Sequence, residues 1–292
     1  MTAIRCRASA TSRSPPHNEN GELVIFDLSE KRAVVTGAGS GIGQAIAIAL
    51  ATAGADVAIL DLAEDGAKRT ADEVQHLGRK AIVRTADTSD PDAVETFAAT
   101  VENAWGGIDI WVNNAGRLLV RPFLEMNDAE WHGLLGTNLH GYYYGCRAAA
   151  RRMTAQGHGR IINVSSVTRQ QPVSDMTAYV TGKAAVVGLT QSLALELGPT
   201  GVTVNAIAPG ATHTGMSASA YTPAVTALYE ARIAVGRIAQ PGDLGGAAVF
   251  LASDEAAYVT GHELLVDGGL LLNGNVGFEQ TPASTRAQGE DQ

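Results

Sequence analysis

The chain of 292 residues predicts an α/β fold: a doubly wound parallel sheet of about seven strands, with helices on both faces, in a single domain. Three observations lead there. Short apolar, β-branched runs alternate with helical segments from about residue 32 to 266, the pattern of strands that return in parallel through helical crossovers. A glycine cluster, Gly37-Ala38-Gly39-Ser40-Gly41-Ile42-Gly43, stands between one such run and a helical stretch, as in a Rossmann-type turn. A 45% hydrophobic content over this length suits one large core, and no internal repeat or second catalytic module is visible.

Taken in order, Val34-Val35-Thr36 ends the first strand and residues 44–53 form the first helix. Residues 56–60 form the second strand, which ends in Asp61, and the third ends at Ala86-Asp87-Thr88. Ser89-Asp90-Pro91 reads as a cap followed by proline in the first turn, opening a helix to about 105. Ile110-Trp111-Val112 is a buried-type strand, followed by a long helix over 128–152 and a strand over 160–164. The helix over 176–197 is apolar all round, which fits burial on two sides. A strand over 202–207 leads to a substrate lid at 211–235 that starts with small residues, Ser217-Ala218-Ser219-Ala220, and carries a helix over 223–233. Such an element can fold over a ligand and exclude water. Pro241-Gly242-Asp243 precedes a helix over 244–252, and the last strand lies near 263–272.

The chemistry is carried by a few short motifs. Tyr179 and Lys183, four residues apart on the helix over 176–197, share one face. A cation beside a phenol favours the phenolate, bringing an ordinary pKa of about 10 towards neutral pH. In the glycine cluster, Gly37, Gly41 and Gly43 let the backbone approach phosphates, and the helix that follows offers its N-terminal N–H groups. Asp61, at the tip of the second strand, can accept hydrogen bonds from both ribose hydroxyls of an adenosine and repel a 2′-phosphate. Neither Ser40 nor Leu62 offsets that repulsion, so NAD is expected in preference to NADP.

Asn113-Asn114-Ala115-Gly116 follows the fourth strand, and Asn163-Val164-Ser165-Ser166 ends the fifth. With these, the chain resembles the short-chain dehydrogenase/reductase family, whose marks are T-G-x-x-x-G-x-G, N-N-A-G, a mid-chain Asn, a Ser, Y-x-x-x-K and a later P-G. They correspond here to Thr36 to Gly43, Asn113 to Gly116, Asn138, Ser166, Tyr179 with Lys183, and Pro209-Gly210, and the similarity runs over about 28–272. The resemblance implies a catalytic set of Asn138, Ser166, Tyr179 and Lys183. Ser165 and Ser166 compete for the serine role; the family spacing of thirteen residues before the tyrosine selects Ser166. Ser166 would donate to the substrate oxygen, Tyr179 would exchange the proton, and Lys183 would lower the tyrosine pKa and bond the nicotinamide ribose. Asn138 would hold a water linking Lys183 to solvent. Gly182 departs from the serine often found before the lysine, without removing a reacting group.

The same resemblance implies that NAD is held by Gly37, Ser40, Gly41, Ile42 and Gly43 at the phosphates and by Asp61 and Leu62 at the adenosine ribose. Asp87 and Thr88 would bond the adenine, and Asn114, Ala115 and Gly116 would pass the ribose. Pro209, Gly210 and Thr214 would meet the nicotinamide, alongside Tyr179 and Lys183. The implied reaction interconverts a secondary alcohol and a ketone, with a polyol, sugar or hydroxy-ketone favoured. A 3-oxoacyl-carrier-protein reductase is the alternative, disfavoured by Asp61 and the acidic charge; a non-catalytic NAD-binding scaffold would be expected to lack the tyrosine or lysine. Arg117, Arg169 and His213 either line the pocket mouth, where they would attract a polar or anionic substrate, or are solvated loop side chains. Gln170, Gln171 and Ser174 add polarity, and Val173, Met176, Met216 and Tyr221 add apolar wall. A homotetramer through the helices over 128–152 and 176–197 and the last strand is also implied, with a dimer as the fallback.

A net charge of −9 with no basic stripe disfavours nucleic acid. No stretch approaches the roughly 20 apolar residues of a membrane span. Two cysteines, Cys6 and Cys146, are too few for a disulfide framework and fit a reducing, cytoplasmic compartment. No Cys/His cluster has metal-ligand spacing. Residues 1–27 read as an N-terminal extension, disordered in preference to a transit segment, and 273–292 as a polar tail.

Overall fold

The computed structural model describes residues 25–218 and 220–272; the expectations for the tail and for nearly all of the extension lie outside these. Seven parallel strands run β1 Arg32–Thr36, β2 Asp56–Asp61, β3 Ala81–Thr85, β4 Ile110–Asn113, β5 Gly159–Val164, β6 Val202–Pro209 and β7 Glu263–Val266. Their spatial order is β3-β2-β1-β4-β5-β6-β7. The order reverses between β1 and β4, whose registers pair Val35 with Val112 and Val35 with Ile59 on the other side. A crevice opens beyond the carboxyl ends of the strands at such a reversal.

Strand alternation divides the core into two layers. Val35, Val57, Ile59, Ile110 and Val112 face one side, where they meet α1 Gly41–Thr52, α2 Glu64–His76 and α8 Gly245–Ala252. Val34, Ala58, Leu60 and Trp111 face the other, packed by α3 Pro91–Trp105, α5 Gly141–Gln156 and α6 Thr177–Leu197. Both faces are covered, so the strands are apolar on both sides rather than alternating polar and apolar. The helix ends follow local chemistry. Asp90 caps α3 by accepting from the Asp92 N–H, and Gly106 ends it at φ +81°. Asn127 and Glu130 form a reciprocal cap on α4 Asp128–Leu135.

Two elements differ from the sequence expectation. The long helix over 128–152 is two helices, α4 and α5, joined by a π turn at Gly136–His140 in which the Gly141 N–H reaches the Gly136 carbonyl. The widened turn buries the Asn138 side chain, which bonds the Arg117 backbone at 2.8 and 2.9 Å. The last strand stops at Val266, and Leu270–Leu272 is a 3-10 turn, because Asp267 accepts from the Gly269 and Leu271 N–H groups and curls the chain.

Candidate active site

The glycine turn after β1 is built for close approach. Gly37 and Gly41 take φ of +64° and +57°, a region that only glycine occupies without strain. A Cβ on Gly37 would lie 2.6 Å from the Ala115 Cα, and one on Gly43 2.1 Å from the Gly37 carbonyl oxygen. A Cβ on Gly41 would project towards Thr214, across the cavity. The N-N-A-G motif braces this turn: Asn114 Nδ2 donates to the carbonyls of Thr36 and Gly37, and the Asn114 and Ala115 N–H groups donate to Thr36 Oγ1. Ser40 begins α1 without a side-chain cap, and no acid occupies the first turn, so the N-terminal N–H groups suit an anion.

Asp61 accepts from the Gly39 N–H at 2.7 Å and the Ala63 N–H at 2.8 Å, which fixes its carboxylate beside the turn. The bare-backbone cradle and this carboxylate fit the diphosphate and ribose of a dinucleotide. Thr88 lines the same cavity, whereas Asp87 accepts from the Ser89 N–H and stays outside the lining. Gly43 and Asn138 also stay outside it. Gly43 permits the Gly37 turn to close against α1, and Asn138 is fully buried behind the cavity wall.

At the far end of the cavity, whose volume is about 880 Å³, lie Ser166, Tyr179 and Lys183, together with Pro209, Gly210 and Thr214. The two serines part company. Ser165 turns inward, donating to the Ile207 carbonyl at 3.0 Å and to Glu263 at 2.7 Å. Ser166 begins a 3-10 turn, Val167–Arg169, and faces the cavity. Burial raises the Tyr179 phenol above its ordinary range, opposed by a hydrogen bond from Ser166. Lys183 is anchored beside the phenol: its Nζ donates to the Val164 carbonyl at 2.7 Å and to the Tyr142 hydroxyl at 2.9 Å. A buried ammonium must satisfy its protons, and these are the acceptors beside it. Nζ lies 4.8 Å from the Tyr142 ring centroid and 5.9 Å from that of Tyr179. Burial pushes Lys183 down to about 7.

The expected mouth residues separate. Arg117 lines the cavity, as do Gln171, Val173, Ser174 and Met176. His213 packs edge-on against Tyr221, which meets Tyr229 of α7 Pro223–Arg232 in the same way. Arg169 is not available to a substrate. It pairs with Glu263 of β7, which also accepts from Gln170. Burial by itself would raise the Glu263 carboxyl, but Arg169 and Ser165 hold it below its ordinary value.

Sequence reasoning passed over Thr168, Tyr142 and Glu263. Thr168 lies two residues after Ser166, the spacing of a hydroxyl turn. Tyr142 follows Asn138 by four, the same helical face, and Glu263 is a charge at the head of an apolar strand.

A family model described as enoyl-(acyl carrier protein) reductase matches residues 37–271. The chain belongs to the short-chain dehydrogenase/reductase family. It is 41% identical to an L-rhamnose 1-dehydrogenase (NAD(P)(+)) of Azotobacter vinelandii, over 84% of this chain and 98% of that one. It is 38% identical to a 3-oxoacyl-[acyl-carrier-protein] reductase of Vibrio harveyi, over 85% and 100%. Among solved structures, a gluconate 5-dehydrogenase from Burkholderia cenocepacia in complex with NADP and tartrate superposes with a TM-score of 0.81 at 36% identity, covering 85% of this chain and 97% of that one. Among the described residues of this short-chain dehydrogenase/reductase, no helix is long and apolar enough to cross a membrane, and no group of side chains could hold a metal ion.

Proposed function

We propose that this chain is an NAD-preferring dehydrogenase that interconverts a secondary alcohol and a ketone, with a polyol, sugar or hydroxy-ketone as substrate. The observation that carries the reading is one continuous cavity, with the glycine turn and Asp61 at one end and Ser166, Tyr179 and Lys183 at the other. The similarity to rhamnose and gluconate dehydrogenases supports the substrate class. Asp61 supports NAD over NADP, although the rhamnose enzyme's name admits both cofactors and the gluconate enzyme's structure holds NADP.

The glycine turn would hold the diphosphate, Asp61 and Leu62 the adenosine ribose, and Thr88 with Asp87 the adenine. Pro209, Gly210 and Thr214 would hold the nicotinamide end. Bound there, NAD supplies the hydride acceptor. Ser166 donates a hydrogen bond to the substrate oxygen and fixes it beside Tyr179. Tyr179 takes the alcohol proton in oxidation and returns it in reduction. Lys183 supplies positive charge beneath the phenol, and Asn138 shapes the wall between the lysine and the solvent-side Arg117 backbone. The lid, 211–235, excludes water from the reacting carbon.

A screen of polyols, sugars, hydroxy acids and simple secondary alcohols with NAD or NADP tests the reading. Turnover with NAD and one alcohol class is expected; activity with NADP alone would overturn the cofactor preference. Tyr179→Phe should lower kcat by about a thousandfold or more while NADH still binds, as expected for loss of the proton-transferring group. The carrier-protein reductase of Vibrio harveyi motivates a second arm, reduction of a 3-oxoacyl thioester with NADPH. Faster turnover there than with any alcohol would favour that alternative. We also propose a cytoplasmic homotetramer, with a dimer as the fallback, through the segments over 128–152 and 176–197 and the last strand; the family resemblance supports the assembly, and Cys146, the one described cysteine, is free and buried.

A further inference from the structure

We propose that Thr168 is a positioning residue that makes Ser166 a committed hydrogen-bond donor; this rests on the alcohol–ketone reading above. A serine hydroxyl has two acceptor lone pairs and one proton. Ser166 Oγ accepts from the Thr168 N–H at 3.2 Å and from the Thr168 hydroxyl at 2.9 Å. Both lone pairs are therefore engaged by one residue. What remains is the Ser166 proton, and its partner is the Tyr179 oxygen or a substrate oxygen beside it.

The arrangement has a direction. Thr168 Oγ1 donates to Ser166, which leaves the Ser166 proton free for an oxygen in the cavity that both Ser166 and Tyr179 line, and the first bond polarises any bond the serine makes there. A serine polarised in this way stabilises negative charge better than an isolated one, both on the phenolate and on an oxygen that gains charge during reaction. The turn carrying both residues is clamped from below: Ser165 and Arg169, on either side, are held by Glu263 of β7. Glu263 thus holds the residues on both sides of the Ser166–Thr168 pair.

Thr168→Val keeps the side-chain shape and the backbone N–H bond but removes the hydroxyl, and Thr168→Ser restores it. The expected result for Thr168→Val is a fall of about tenfold in kcat, the worth of one hydrogen bond in a charge-developing step, with KM for NAD unchanged. The acid limb of kcat/KM for alcohol oxidation should move to higher pH by about half a unit or more, because a weaker donor stabilises the phenolate less. Thr168→Ser should recover both. The ionisation of Tyr179 is also read without substrate, by ultraviolet titration of each protein against its Tyr179→Phe counterpart, and should shift in the same direction. Unchanged rate and titration in Thr168→Val would overturn the proposal. So would a lowered rate with an unmoved titration, or one that Thr168→Ser does not recover, since these are what a merely structural threonine gives. A parent protein that oxidises no alcohol would instead overturn the function, and the titration would still decide the role of Thr168.

Discussion

Asp61 shows how one side chain serves two ends. Its carboxylate holds the Gly39 N–H and so shapes the glycine turn, while it also lines the cavity at the tip of β2, where the proposed cofactor would place its ribose. Asp61→Asn keeps an oxygen for Gly39 and removes the charge. Unit charges about 4 Å apart in water repel by about 1 kcal/mol, and a 2′-phosphate carries nearly two. The ratio of kcat/KM for NADP to that for NAD should therefore rise by about tenfold or more, checked by initial rates with each cofactor. At this scale the sequence was readable: Asp61, the glycine cluster and the Tyr179–Lys183 pair are each defined by neighbours within a few residues. The partners of Lys183 were not. Val164 and Tyr142 approach it only because β5, α5 and α6 converge.

Among the elements, the first βα unit depends on a glycine that touches no cavity. Gly43 lies in the first turn of α1 and permits the helix to press on the Gly37 carbonyl and Asn114 Nδ2. Gly43→Ala places a methyl where neither backbone nor amide can yield cheaply. We expect a loss of about 1–3 kcal/mol of stability from overpacking, together with at least tenfold weaker NADH binding, read by thermal melting and fluorescence titration. The π turn at Gly136–His140 is a second case in which an element answers to its surroundings. The local sequence reads as one helix over 128–152, but bonds from Asn138 to the Arg117 backbone accompany a wider turn.

At the scale of the whole molecule, the end of the sheet away from the cavity is tied by Asp109. It accepts from the Arg32 backbone and guanidinium and bonds His158, joining the starts of β1, β4 and β5. Burial by itself would raise this carboxyl, but the bonds from Arg32 and His158 and the charge of Arg32 hold it far below the ordinary range. Because the folded value is depressed, its contribution to stability is present above the unfolded value of 3.8 and is lost as pH falls further towards the folded value. Asp109→Asn should cost about 3 kcal/mol near neutral pH by stranding the Arg32 charge. The gap in Tm between parent and variant should be level from about pH 5 to 8 and close below about pH 4. On the opposite flank, Leu195 of α6 is 83% exposed in the single chain, as an interface residue would be. Leu195→Glu should reduce the proposed tetramer to a smaller species in light scattering; an unchanged mass would place the interface elsewhere.

The sequence by itself determined the alternation of strands and helices, the position of the glycine turn and the order of the site motifs along the chain. Each depends on periodicity or on spacings of a few residues, which backbone geometry converts directly into local shape. Only the tertiary structure decided that Ser165 is tied to Glu263, that Arg169 is held by the same residue 94 positions away, and that Lys183 rests on Tyr142 and Val164. Those outcomes depend on which buried polar groups find partners. A buried donor or acceptor must be satisfied wherever the fold brings an acceptor or donor to it, and distance along the chain carries no record of that choice.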